Sequence, residues 1–380
     1  MEVIRVRFYF GGEIIKIAVI DADLIGRSKH RFPHLASMKI AGYWKDAGAE
    51  VVLKTDYDNL KEFDKIYISK VFTDTPIDKS ILKLPNVEYG GTDFFFDKAP
   101  NLPEEIEHHM PDYHLYDDWI AEKIENGSSK NEFKEYIDNN IGFLTRGCFR
   151  KCGFCVNQKY DRVFLHSRLD EFVDHSRKKI CLLDDNVLGS PKWRELLNTL
   201  IATGKPFKFK QGMDERLLTD EKCELLFNAK YDGEYIFAFD NISDYDLIEQ
   251  KLQMIRRHTG KTNIKFYVLV GYESVDATDI INAFKRIELL MSYHCLPYIM
   301  RYQSKSEAPW KNSDLSGMYI TLARWCNQPS IFKKMSIREF AEAVQATART
   351  NKLCAPKRYL AEFEEKYPDV AAKYFNMKWK

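Results

Sequence analysis

Cys148, Cys152 and Cys155 stand within eight residues, in the run Thr145-Arg-Gly-Cys-Phe-Arg-Lys-Cys-Gly-Phe-Cys-Val156. The C-x3-C-x2-C spacing puts three thiolates in one short loop, one fewer than a closed four-ligand metal site uses. A 4Fe–4S cluster held by three cysteines leaves one iron without a protein ligand, and that iron can bind a cofactor and react. Zinc is the plainer alternative. It needs a fourth donor, with His166 the nearest candidate, and its sites ordinarily pair cysteines across a longer loop. A disulfide suits three clustered thiols poorly, because one is left over.

The triplet resembles the signature of the radical S-adenosylmethionine (radical SAM) superfamily. That resemblance implies a 4Fe–4S cluster on Cys148, Cys152 and Cys155, whose open iron is chelated by the amino and carboxylate groups of S-adenosylmethionine. It further implies reductive cleavage to methionine and a 5′-deoxyadenosyl radical that takes hydrogen from a substrate. Phe154 falls where the superfamily carries an aromatic residue beside the adenine. Gly147 and Gly153 let the backbone fold tightly around a bulky cluster.

Six apolar segments after the connector read as strands: 141–145, 180–183, 207–210, 235–239, 264–270 and 297–301. Helical patterns lie between them at 192–202, 220–228, 243–257 and 278–293. Six β/α units suit the partial (β/α)6 barrel that the resemblance implies, with polar residues after each strand at the C-terminal mouth. Asp184 and Asp185 follow the second strand, in the position that receives the methionyl amino group. After the third, Gln211, Asp214 and Arg216 are candidates to position substrate or to pair the cofactor carboxylate. Asp240 ends the fourth strand as a candidate for ribose hydroxyls or the cofactor amine. Gly271 and Glu273 end the fifth, resembling the residues that back the adenine. An acid after a strand is also a common helix N-cap, which is the competing reading for each of these. Cys326, in an Arg- and Trp-rich segment, is a candidate hydrogen donor or radical relay beside Arg216, against a reading as a buried structural cysteine.

The first hundred residues alternate strands (13–20, 51–53, 65–68, 87–91) with a helix from Leu35 to about Gly48, implying an α/β, doubly wound, Rossmann-like parallel sheet. The arrangement resembles the cobalamin-binding-like domain that precedes the barrel in one radical SAM subgroup. Cobalamin domains that ligate cobalt use Asp-x-His-x-x-Gly, whereas this chain has Asp21-Ala-Asp23-Leu-Ile-Gly26, and a carboxylate is a poor substitute for imidazole on cobalt. His30 and His34 are near but wrongly spaced. Cobalamin is therefore a possible cofactor but not the favoured one. The expected organisation is a cobalamin-binding-like domain over 1–99, a connector over 100–140 containing His108, His109 and His114, the barrel over 141–303 and a basic helical extension over 304–380.

With 45% hydrophobic and 14% aromatic residues, a large core is expected and disorder is not. No apolar run approaches a membrane span, and the opening Met1-Glu-Val-Ile-Arg-Val-Arg lacks the apolar centre of a secretory leader, so a reducing, cytoplasmic setting is expected. Net charge is +1, but residues 301–380 hold fifteen Lys/Arg against eight Asp/Glu. That excess could meet an anionic substrate such as a nucleic acid or a phosphate ester, or be a solvated helical face. The resemblance also implies a reductant such as flavodoxin or ferredoxin. No cysteine precedes Cys148, and Cys295, Cys326 and Cys354 are scattered, so a single cluster is expected. Cobalamin-dependent methyl transfer and a non-catalytic iron–sulfur or zinc protein stand as the alternatives.

Overall fold

The structure, a computed structural model, describes residues 9–10, 13–28, 32–304, 306–349 and 352–379, so His30 lies outside the described residues. The chain forms two compact units, one of 1–151, 155–184 and 205–207, the other of 152–154, 185–204 and 208–380.

In the first unit, β1 (Lys16–Asp21), α1 (Leu35–Asp46), β2 (Glu50–Lys54), β3 (Lys65–Ser69) and β4 (Val87–Gly90) build an all-parallel sheet in the order β2-β1-β3-β4. The central strand pairs on both sides, with Ala18 opposite Val52 and Ile66. A strand covered on both faces reads as an unbroken apolar run, as Ile17-Ala-Val-Ile20 does. Its side chains still alternate between layers. Ile17 and Val19 join Leu35, Met38 and Ala41 of α1, whereas Ala18 and Ile20 pack with Leu60, Ile66 and Ile68.

Only the first crossover holds a helix longer than two turns. The next two run through single 3-10 turns, Leu60–Glu62 and Ile81–Lys83. Short acids there capture backbone amides: Asp56 accepts from the Asp58 N–H at 3.0 Å and Asp78 from the Ser80 N–H at 2.8 Å. Such local bonds compete with the helical ladder and hold the chain in turns.

The aspartates of Asp21-Ala-Asp23-Leu-Ile-Gly26 have structural partners. Asp21 caps the short helix Ala22–Gly26 through the N–H groups of Asp23 and Leu24. Asp23, 1% exposed, accepts from the Val71 N–H at 2.7 Å and from the Thr75 hydroxyl. His34 caps α1, its Nδ1 accepting from the Ser37 N–H at 3.3 Å.

The first unit continues with β5 (Asn139–Gly142), a two-residue hairpin of β6 (Thr145–Arg146) with β7 (Phe164–Leu165), and β8 (Lys179–Leu182), which pairs in parallel with β5. The predicted strand over 141–145 is thus interrupted at Phe143–Leu144. The amides of Leu144 and Thr145 bond to the carboxylate of Asp184 instead of to a neighbouring strand.

In the second unit, α2 (Trp193–Ala202), α3 (Asp220–Asn228), β9 (Tyr235–Ala238), α4 (Tyr245–His258), β10 (Ile264–Val270), α5 (Ala277–Ser292) and β11 (Leu296–Arg301) follow in turn. The strand Phe207–Phe209 begins in the first unit and ends in the second. β9, β10 and β11 form a parallel sheet in which Phe237 lies opposite Phe266, and Phe266 opposite Pro297. Ile264, Phe266, Val268 and Val270 are buried, and Lys265 and Tyr267 between them are half-buried, the period-2 mark of a strand with one covered face. The helices α6 (Ser316–Cys326), α7 (Ile337–Ala346), α8 (Ala355–Lys366) and α9 (Pro368–Tyr374) complete the unit, α7 starting in a capping box of Ser336 and Glu339. The whole is a mixed α/β protein with parallel sheets. Among the described residues, no helix is long and apolar enough to cross a membrane.

Candidate functional site

Gly147 opens the cysteine loop at φ +86°, and a Cβ there would lie 2.4 Å from the Arg162 carbonyl oxygen, so only glycine fits. Beyond it, Cys148 Sγ accepts from the Arg150 N–H at 3.3 Å and Cys155 Sγ from the Asn157 N–H at 3.4 Å. Lys151 Nζ braces the loop, donating to the carbonyls of Gln158 at 2.7 Å and Tyr160 at 2.6 Å. All three cysteines are partly exposed, and among the described residues no cysteine is in a disulfide. Their residue type, spacing and amide-bonded sulfurs fit an iron–sulfur cluster. Among the described residues, however, no three His, Cys, Asp or Glu side chains stand arranged as a metal site.

His166, the nearest candidate for a fourth zinc ligand, is engaged elsewhere in the first unit. Its Nδ1 lies 2.9 Å from Ser167 Oγ and its Nε2 3.3 Å from Glu107 Oε1. Glu107 also takes Lys39 Nζ at 3.0 Å, and His108 Nδ1 sits 2.6 Å from Glu171 Oε2 while stacking on His166 at 5.1 Å. Burial raises the Glu107 carboxyl, but His166 and Lys39 outweigh it and bring it down to about 2. Of the connector histidines, His108 pairs with Glu171 and Glu104 and His109 with Asp46, while His114, exposed to solvent, sits beside Asp117.

Asp184, expected to meet the cofactor amine, is 3% exposed and turned toward the strand that leads into the loop. Its Oδ2 accepts from the Leu144 N–H at 3.1 Å and its Oδ1 from the Thr145 N–H and hydroxyl, both at 2.6 Å. Asp184 pins the chain three residues before Cys148.

In the second unit, Cys152, Gly153 and Phe154 line a cleft of about 330 Å³ together with Glu215, Arg216, Asp240, Asn241, Asp244, Tyr272 and Glu273. Arg216 Nε donates to Asp214 Oδ1 at 2.7 Å, and its Nη1 reaches Asp244 Oδ2 at 3.4 Å. Burial pulls that guanidinium down, but Asp214, Glu215 and Asp244 raise it well above its usual value. Asp240 is no helix cap. Its Oδ1 accepts from the Leu269 N–H on the neighbouring strand at 3.2 Å, and burial pushes it up to about 6 against the pull of Arg286 and that N–H. Glu273 Oε1 accepts from Asn241 Nδ2 at 2.8 Å. Four carboxyl groups and one guanidinium line the cleft, a setting for a ligand that carries both a cation and a carboxylate.

Phe154, Arg216, Asp240 and Glu273 are therefore the sequence candidates that share this cleft. Gln211 is exposed, and neither it nor Asp185 is among the lining residues. Gly271 is buried one residue before the lining, its N–H donating to Asp279 Oδ2 at 2.7 Å and a Cβ excluded by Trp310 at 2.8 Å. Cys326 is 1% exposed at the end of α6, and burial raises its thiol far above the usual range. The structure gives it a core position.

Glu215, Tyr272 and Arg286 escaped the sequence reading. Glu215 is 2% exposed, accepts from the Ala238 N–H at 3.1 Å, and is raised to about 8 by burial and then by Asp214. Arg286 is 2% exposed on a helix whose other buried positions include Ala283, Ile287 and Leu290. A lone arginine in the apolar stripe of α5 was the signal by which the sequence could have shown it. A more open hollow of about 670 Å³, lined in part by Val275, Gln303, Ser304 and Lys311, lies on the loops after β10 and β11.

No protein-family model matches the sequence, and no curated protein matches it. Among solved structures the chain is similar to TsrM, a radical S-adenosylmethionine methyltransferase from Kitasatospora setae with tryptophan substrate and the SAM analog aza-SAM bound. The identity is 12% and the TM-score 0.48, over 78% of this chain and 75% of that one.

Proposed function

We propose that this chain is a radical S-adenosylmethionine enzyme in which Cys148, Cys152 and Cys155 hold a 4Fe–4S cluster. The observation that carries the reading is that the Cys152–Phe154 turn of the triplet itself lines a zwitterion-suited cleft with Arg216, Asp240 and Glu273. Held by Cys148, Cys152 and Cys155, the cluster would supply the electron for reductive cleavage of S-adenosylmethionine, the chemistry that starts hydrogen abstraction from a substrate.

The chain's own residues bind and orient. Arg216, held by Asp214 and Asp244, offers a guanidinium edge to the cofactor carboxylate. Asp240 and Glu273 accept from the cofactor's amine or ribose hydroxyls, and Phe154, met edge-on by Tyr272, supplies aromatic surface for its base. Glu215, raised to about 8, keeps its proton at neutral pH, so the cleft does not collect another anion. Asp184 and Gly147 set the path of the chain into the loop. A reductant of the flavodoxin or ferredoxin kind and a reducing, cytoplasmic setting belong to the same reading.

Oxygen-free reconstitution with iron and sulfide, followed by reduction in the presence of S-adenosylmethionine, tests it. Methionine and 5′-deoxyadenosine are expected, and both are lost in Cys148→Ala, Cys152→Ala or Cys155→Ala. A cluster that forms but leaves the sulfonium intact refutes the enzymatic reading in favour of a non-catalytic iron–sulfur protein. Cobalamin-dependent methyl transfer would announce itself as bound cobalamin in the visible spectrum. The inward bonds of Asp23 argue against cobalt ligation from that position.

A further inference from the structure

We propose that Tyr272 is a positioning residue for the cysteine loop, its hydroxyl seated in the space that a side chain at position 153 would take. The inference rests on the reading of that loop as the cluster- and cofactor-binding loop. A Cβ on Gly153 would lie 2.2 Å from the Tyr272 hydroxyl oxygen and 3.4 Å from its Cζ. Unlike Gly147, Gly153 does not have a positive φ. Glycine is required at 147 by backbone conformation and at 153 by space.

A tyrosine tip is ordinarily free to swing away from an added methyl group, but this ring is held on two sides. Phe154 meets it edge-on with centroids 5.4 Å apart at 84°, and Tyr302 does so at 4.8 Å and 68°. The backbone behind it is fixed as well. Gly271, at φ +70°, is tied to Asp279 and covered by Trp310. The loop after β10 therefore presses on the turn between Cys152 and Phe154, and how that turn presents its thiolate and its aromatic ring depends on a residue more than a hundred positions away in sequence.

The test is a double-substitution cycle in the full chain: Gly153→Ala, Tyr272→Phe and the two together, with Tyr272→Ala alongside. Three quantities are read: the unfolding midpoint without iron, the iron and sulfide bound after oxygen-free reconstitution, and the electron paramagnetic resonance spectrum of the reduced protein with and without S-adenosylmethionine. Gly153→Ala is expected to lower the midpoint by about 2 °C or more and to reduce iron loading at least twofold. Tyr272→Phe should load like the parent. The double variant should recover most of both losses, because without the hydroxyl the nearest ring atom is 3.4 Å from the new methyl. Tyr272→Ala should still load iron but change the spectrum seen with S-adenosylmethionine, which a purely structural tyrosine would leave alone. Additive losses in the double variant, or a harmless Gly153→Ala, would overturn the proposal. A parent protein that binds no iron overturns the cluster reading instead, while the midpoints still judge the Tyr272–Gly153 contact.

Discussion

Arg286 Nη1 lies 2.8 Å from the main-chain oxygen of Asp240 and 3.0 Å from those of Phe239 and Leu269. One buried guanidinium thus clamps the ends of β9 and β10, and from those ends Asp240, Tyr272 and Glu273 leave for the cleft. Arg286→Met strands three carbonyls, two of them in buried bonds, and removes a counter-charge from Asp240, so a loss of about 3 kcal/mol or more is expected. Arg286→Lys should recover part of it, since an ammonium can serve the acceptors that meet Nη1 but cannot also make the Nε bond to the Asn282 carbonyl. Urea unfolding of the three proteins decides, and equal midpoints would rule out the clamp.

Glu215 makes stability fall as pH rises. Its carboxyl goes from an ordinary 4.5 to about 8 in the folded chain, so between those values the folded state holds a proton that the unfolded state has released. The stabilisation is complete below about 4.5 and is lost as pH passes through about 8, at up to about 1.4 kcal/mol per unit. Glu215→Gln should flatten that slope and be relatively more stable at pH 8 than at pH 5. Unfolding midpoints measured across the window check it, and parallel profiles would count against a buried, protonated Glu215.

Asp184→Ala removes the acceptor for two backbone amides and one hydroxyl at the entrance to the cysteine loop. Unsatisfied buried donors cost about 1–3 kcal/mol each, so a drop of roughly 3 kcal/mol or more is expected, accompanied by weaker iron retention. Asp184→Asn, with one acceptor oxygen left, should fall between. If the variant instead keeps its stability and loses only affinity for S-adenosylmethionine, Asp184 is a ligand-binding residue after all.

Glu107 has the opposite pH sign. Held at about 2 by His166 and Lys39, it contributes stability above the ordinary 4.5 that disappears as pH falls through about 2. Glu107→Gln leaves Lys39, 3% exposed, without its carboxylate, and should cost about 3 kcal/mol near neutrality. The gap between parent and variant should close below about pH 4.5 and vanish near pH 2. Acid titration followed by circular dichroism measures it.

Much of the architecture could be read from local pattern. The strand 264–270 and the helix 220–228 have their expected bounds, and Thr219 caps the latter through the Lys222 N–H. Periodicity and caps are carried by neighbouring residues, so they survive in one dimension. The interrupted strand at 143–144 did not, because a carboxylate forty residues away claims those amides. Nor did the missing crossover helices, where Asp56 and Asp78 out-compete the helical ladder.

The candidate site divides the same way. Three thiols at C-x3-C-x2-C declare a chemistry through residue type and spacing alone, and no fold is needed to see it. Which acid lines the cleft and which bonds the backbone is visible only in three dimensions. Asp184 and Asp240 both follow apolar strands, yet one points back to the backbone of residues 144–145 and the other joins the cleft lining. A side chain's task depends on the donors that meet it, and those donors come from segments tens of residues distant. Glu215 was invisible for that reason and Arg286 showed only as an arginine in an apolar stripe: the protonation of the one and the bonds of the other are products of burial, which only packing creates.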